Sequence, residues 1–509
     1  MIDMTRTTGR HRSRSLRRVF HVAAPLVLTL LATSVSAAMP SNAAESRAAV
    51  HRFPTDGVPL RYMRATALVM PAALVNAIRA VTSRPASIPS YSRQTRLACS
   101  ACHYQFPALT PFGRLFKLNG YVLTGLTGIT SGADTSVRQT LKLAPIPPAS
   151  AMIVASLTNT RKAQPGTQNN DAAIPQQLSV FLAGEITPRL GAFTQVTYSS
   201  ADASVSIDNI DIRFADHARL ASKDLLLGLT LHNNPTVQDV WNTVPAWGFP
   251  FMASELAPSP IASPLIDGTL GQEVLGLGAY GLWNSLIYGE FTAYRSAPQG
   301  AASPLDSTAI NAARGVIPYW RVALQHEFRT IYAMVGTYGF DAKVRPSGVA
   351  GPTNHFTDVA VDAQLERRVR TAGAVILRST YIHERQRLDG LVAASPPAAE
   401  RTSNRLGTFR INASVNPTTG YGLTAGYFST TGRTDALLYP AAPVTGSRTG
   451  RPDTRGFIGE LDFNPWQNTR LALQYVAYDK FNGASASYDA AGRSASANNT
   501  LYLYTWIAF

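Results

Sequence analysis

The sequence predicts an all-β fold: a 16-stranded transmembrane barrel of the outer-membrane kind, preceded by a small N-terminal segment with its own chemistry. Three observations predict it. Charged residues make up 15% of the 509 residues and hydrophobic residues 45%, so charge is scarce, against about 25% in soluble proteins. Beyond the N-terminus no uninterrupted apolar run reaches the roughly 18 residues a membrane helix needs. Low charge without long apolar runs suits strands that are apolar on one face only. Finally, from Ala149 onward the chain becomes a series of roughly ten-residue stretches with two-residue alternation, separated by turn residues.

In chain order, residues 1–37 read as a signal peptide. Arg6, Arg10, Arg12, Arg14, Arg17 and Arg18 precede an apolar run from Val22 to Leu31. Small-residue cleavage sites end at Ala37 and, as the later choice, at Ala43. Pro25 and the shortness of the run argue against a membrane anchor. Removing six arginines and Asp3 lowers the net charge from +15 to +10. Residues 38–87 form a linker or a segment of open character. Within it, Leu68 to Val81 is mostly apolar and follows Met63-Arg64. A short helix, a linker and a signal sequence read from Met63 all fit.

Residues 88–148 carry the chemistry. Cys99-Ser100-Ala101-Cys102-His103 reads C-x-x-C-H, and these are the two cysteines of the whole chain. The spacing lets two thioethers anchor one edge of a haem while the adjacent His103 reaches the iron. A redox dithiol would not require His103, and zinc would need two further ligands where no further cysteine exists. The segment therefore reads as a monohaem cytochrome c unit with one covalent haem c. For the sixth position, no Met or His occurs between His103 and Ala151, so Met152 is the first candidate downstream. Ordinary packing of Met152, or an open sixth position, are the alternatives. Aromatic and proline residues around the motif would pack against a haem face. Arg93, Arg114 and Lys117 are candidates for its propionates; for each, an ordinary solvated charge is the competing reading.

Residues 149–509 read as the porin-like barrel. The strands fall at 150–160, 177–187, 191–200, 204–215, 223–232, 272–283, 285–295, 316–328, 331–342 and 354–366, then at 372–383, 404–416, 420–429, 454–464, 469–480 and 499–509. The count is even, as in bacterial barrels. Tight links (188–191, 284, 329–330, 416–420, 464–468) mostly alternate with long ones, the link at 201–203 being the exception. Short turns lie on the periplasmic side of such barrels and long loops outside, which puts both barrel ends in the periplasm. In 204–215, Ile210, Ile212 and Phe214 would face lipid while Asn209, Asp211 and Arg213 face the lumen. A soluble β-sandwich alternates too. The last strand argues against it: Leu501, Leu503, Thr505, Ile507 and Phe509 share one face, and the chain stops on an aromatic residue. The longest link, 233–271, is aromatic and weakly charged. It reads as a loop folded into the lumen or as a folded surface cap.

A monohaem C-x-x-C-H segment, then Phe112-Gly113-Arg114-Leu115-Phe116-Lys117, then a 16-strand porin, resembles the fused outer-membrane cytochrome–porins of iron-oxidising bacteria. The likeness covers roughly residues 88–509. Cys99, Cys102 and His103 match that family's haem motif, and Phe112–Lys117 the stretch after it. Residues 45–87 depart from the pattern, in which the haem segment follows the signal closely. The resemblance implies an outer-membrane electron conduit. It would take electrons from an extracellular donor, typically Fe(II), and pass them to a periplasmic cytochrome or other carrier. Two other readings stand beside it: a solute porin whose haem segment is a plug or sensor, and a soluble periplasmic haem enzyme. Nucleic acid has no support, because the basic residues are scattered through turns and lumen-facing positions instead of forming a stripe.

Overall fold

The computed structural model describes residues 89–123, 129–130, 142–143, 148–165, 169–201, 203–245, 248–268, 270–271, 273–296, 311–346, 351–369, 373–416 and 420–509. The signal peptide, the 38–87 stretch and Trp247 of the long loop lie outside the described residues.

Sixteen long antiparallel strands close into one barrel. They are β1 (Ala149–Thr160), β2 (Asp171–Thr187), β3 (Leu190–Ser199), β4 (Ser204–Leu220), β5 (Lys223–His232) and β6 (Leu275–Trp283). Next come β7 (Ile287–Arg295), β8 (Ile317–Phe328), β9 (Ile331–Pro346), β10 (Asn354–Val369) and β11 (Gly373–Arg387). The last five are β12 (Ser403–Asn416), β13 (Tyr421–Gly432), β14 (Thr454–Trp466), β15 (Thr469–Lys480) and β16 (Thr500–Ala508). Closure is the pairing of β16 with β1, Thr500 opposite Thr160 and Ala508 opposite Met152. A short strand, Asn311–Ala313, adds to the far end of β9.

Alternation decides which residues meet lipid. Along β10, Val359, Val361 and Leu365 are about half exposed, while Asp358, Asp362 and Glu366 between them are buried in the lumen. The same split separates Leu227 and Leu229 from Thr230 and His232 on β5. On β16 Tyr502, Tyr504 and Trp506 point inward. Near the short-turn end, Phe328, Tyr421 and Phe463 form part of an aromatic rim, the latter two stacked 4.7 Å apart. An apolar belt around a closed barrel with no free edge is stable only in a bilayer. The protein is therefore one of the bacterial outer membrane.

Several strands run further than their sequence suggests, β9 and β11 by four residues at their ends, and the two largest overruns, in β2 and β4, each have a local reason. β2 starts at Asp171, six residues before the expected 177, because Pro175 sits at a bulge: Val154 pairs with Gln177, and the register then jumps to Ser156 with Ala173. β4 runs on to Leu220, beyond the expected 215, and turns through Ala221 and Ser222, both at positive φ. That is the backbone of a two-residue hairpin, written here without the Asn-Gly that usually announces it.

Candidate functional site

The C-x-x-C-H segment lies inside the barrel, at its short-turn end. Helix α1 (Ser90–Thr95) leads into a turn of helix, α2 (Cys99–Cys102), whose two cysteines are unpaired thiols. A tight hairpin, His103–Gln105 with Ala108–Leu109, then feeds α3 (Pro111–Leu118). Pro111 opens α3, and Thr110 caps it, its hydroxyl accepting from Gly113 N at 3.0 Å. The same hydroxyl donates to the Ala101 carbonyl at 2.6 Å, and Thr110 N to that of Cys102 at 2.9 Å. One threonine thus ties the cysteine turn to α3. Gly113 completes the joint: a Cβ there would run into the Cys102 carbonyl oxygen.

The lumen wall grips this segment from many sides. Ser90 Oγ and Gln94 Nε2 both donate to the Ala183 carbonyl, at 2.6 and 2.8 Å, and Tyr91 donates to that of Ala192 at 2.7 Å. Tyr121 donates to Asp211 on β4 at 2.5 Å, and Tyr280 on β6 donates to the Leu118 carbonyl at 2.5 Å. On β10, Glu366 accepts from Arg114 at 2.6 Å and from Tyr104 at 2.8 Å. From β15, Arg470 donates to the Phe106 carbonyl at 2.8 Å.

Between segment and wall lies a mostly apolar cavity of about 220 Å³. Cys99, Cys102 and His103 line it, with Phe106, Phe116 and Tyr121 of the segment. Met152 on β1 and Trp506 on β16 line it from the wall, and Val237, Asp239 and Val240 from the long loop. The His103 ring lies 4.5 Å from Phe106, which stacks on Trp506 at 5.9 Å. Burial pushes the His103 imidazole down to about 4 and, with Cys99 beside it, the Cys102 thiol up to about 11. Both are therefore neutral at pH 7. His103 Nδ1 is buried without a hydrogen-bond partner. Two free thiols, a neutral imidazole and a thioether around one apolar space form a donor set that fits a covalently held haem.

The basic candidates separate. Arg114 is buried, bonded to Glu366 and stacked 4.2 Å over the Tyr332 ring. It does not line the cavity: its guanidinium is committed to docking the segment. Arg93 donates to the Ala149 carbonyl. Lys117 does line the cavity, donating to the Val237 carbonyl with Asp211 3.9 Å away. Burial first, and Arg213 second, hold its ammonium down to about 8.

Sequence reasoning missed Glu366, Asp211, Tyr280 and Trp506 as partners of the segment. Their inward direction was readable from strand alternation, but which strand comes opposite the segment depends on barrel closure. The long loop does fold inward. Its helical turn α4 (Pro235–Gln238) is fully buried, and Trp241 packs on Tyr288 of β7 at 5.2 Å with its indole N–H donating to Tyr332 on β9 at 2.8 Å.

No family model and no curated protein matches the chain. Among solved structures it is similar to outer-membrane barrels. The channel DcaP of Acinetobacter baumannii is 10% identical with a TM-score of 0.41, over 71% of this chain and 96% of that one. An anion-selective porin from Comamonas acidovorans gives 10%, 0.41, 71% and 98%. Salmonella typhi OmpF, in complex with daunomycin, gives 11%, 0.40, 71% and 97%.

Proposed function

We propose that the protein is a haem-carrying, plugged outer-membrane barrel that moves electrons from an extracellular reduced donor, Fe(II) foremost, to a periplasmic carrier. The observation that carries this reading is the single cavity onto which Cys99, Cys102, His103 and Met152 all open. In it, Cys99 and Cys102 would hold haem c by two thioethers, with His103 as an iron ligand and Met152, which lines the same cavity, as the candidate for a further one. When bound, that group supplies a one-electron iron couple. The chain's own residues do the rest. Phe106, Phe116 and Trp506 exclude water from the site, and Lys117 offers the cavity its cation. The Arg114–Glu366 pair fixes the segment to the wall. At the short-turn mouth, α3 leaves Phe112 and Leu115 exposed, an apolar face suited to a soluble carrier.

The fold also favours a second reading, a solute porin with a haem-bearing plug or sensor. Sixteen strands enclose a lumen of channel width, and an in-folded loop narrows it without having to close it.

The deciding experiment is a reduction spectrum. The purified protein, exposed anaerobically to a panel of donors, should show a c-type haem reduced by Fe(II). A spectrum that Fe(II) leaves unchanged across pH, while dithionite reduces it, rejects iron as donor. Cys102→Ala should abolish two-point attachment; unchanged haem staining in a denaturing gel would reject the haem assignment itself.

A further inference from the structure

Most of the lumen's carboxylates are answered by a cation, and Glu290, which makes no ion pair among the described residues, accepts from the hydroxyls of Tyr288 and Thr292. Asp211 has Arg213, Asp362 has Arg321, Glu460 has Arg470 and Glu366 has Arg114. Asp358 and Glu384 differ. They are direct cross-strand neighbours on β10 and β11, both at most 1% exposed. Among the described residues no Lys, Arg or His makes an ion pair with either, and the closest luminal ion pair, Arg410 with Asp267, is already complete. Two N–H groups of the in-folded loop reach them: Ile266 N donates to Asp358 Oδ2 at 3.1 Å and Leu265 N to Glu384 Oε2 at 2.6 Å. Two like charges this close, out of water, cannot both remain unanswered.

Two further oxygens at this place also lack partners. Asp358 Oδ1 is buried with no hydrogen-bond donor, and so is Gln386 Oε1. Gln386 follows Glu384 by two residues on the same luminal row, and its amide nitrogen donates to Glu384 Oε1 at 2.5 Å. Its free carbonyl oxygen therefore stands beside the carboxylate pair while more than nine-tenths buried. Two carboxylates and an amide oxygen, answered by three N–H donors and by no cation, offer a hard cation an oxygen-only site, with one orphaned donor, Asn404 Nδ2, cross-strand from Gln386. No cluster of three or more His, Cys, Asp or Glu occurs among the described residues, and here the third ligand is an amide.

We propose that Asp358, Glu384 and Gln386 bind one divalent cation of the hard, oxygen-preferring class in the outer half of the lumen. Asp358 is four residues inside the start of β10 and Glu384 three from the end of β11, both at the long-loop side. Eight residues further down β10, Glu366 holds the cysteine-bearing segment. At ~3.4 Å per residue and a tilt of ~40° the two levels are roughly 20 Å apart along the barrel axis. The site's use as a station for an incoming donor ion rests on the electron-transfer reading; cation binding does not.

The test uses the full-length protein in detergent and Mn²⁺ alone, with free ion followed by electron paramagnetic resonance. One Mn²⁺ per chain is expected. Asp358→Asn/Glu384→Gln should weaken binding by more than about 100-fold, since even neighbours of metal ligands are worth 10–100-fold. Asp216→Asn, at an exposed pair with Arg189, should leave binding unchanged. The double variant keeps shape and removes two uncompensated charges, and barrel closure is checked by heat-dependent gel mobility. Absence of binding at millimolar Mn²⁺, or equal binding by the double variant, overturns the site. So does an infrared band of a protonated carboxyl that vanishes in the double variant yet persists under Mn²⁺, because the pair would then hold a shared proton. Haem reduction scored on the same sample separates the two ideas: reduction without Mn²⁺ binding removes the site alone, and binding without reduction removes the redox reading alone.

Discussion

Gly113 and Lys117 show how single residues set the segment's docking. With no Cβ, Gly113 lets α3 close against the Cys102 carbonyl. Gly113→Ala should push α3 off the cysteine turn, an overpacking cost of about 1–3 kcal/mol. The expected outcome is lower haem content in purified protein with unchanged barrel mobility in gels; full haem content would show that the joint can give. Lys117 makes a pH prediction. Its folded value of about 8 lies below the ordinary lysine value of about 10.4. Between those two values the unfolded chain binds more protons than the folded one, so stability rises with pH across that window and is lowest below pH 8. The full rise is about 3 kcal/mol, read as a higher guanidinium midpoint at pH 9.5 than at pH 7.5. Lys117→Met should flatten that difference.

Strands carry the membrane argument. Val361 sits near the middle of β10 on the lipid face, next to the luminal Asp362. Val361→Arg should cost about 2–4 kcal/mol if it lies at the bilayer midplane, measured as a lower yield of heat-modifiable barrel after refolding into vesicles. An equal yield would mean that this face does not meet lipid. Much of this level was legible in the sequence, because the two-residue period that hides Asp358, Asp362 and Glu366 also exposes Val359, Val361 and Leu365. Where the pattern misled, local chemistry explains it. Pro175 reads as a breaker and is absorbed by a bulge, while Ala221-Ser222 turns a hairpin without the residues that mark one. The cysteine motif was legible from five consecutive residues. Arg114 was not, because its partner Glu366 is 252 residues away and only closure brings the two together.

At the scale of the whole molecule, the question is whether the lumen passes solute. The segment, bonded to β2, β3, β4, β6, β10 and β15, and the long loop fill it from two levels. Liposomes carrying the intact protein should therefore swell in small sugars no faster than protein-free ones, whereas rapid swelling would favour the porin reading. One further consequence comes from the pairing of the last strand with the first. The segment precedes β1 and is enclosed once β16 meets β1. Under the proposed function, the machinery that attaches haem must reach Cys99 and Cys102 while the chain is still open in the periplasm. Maturation would then be a race between modification and membrane insertion, and a barrel that sealed first would be permanently colourless.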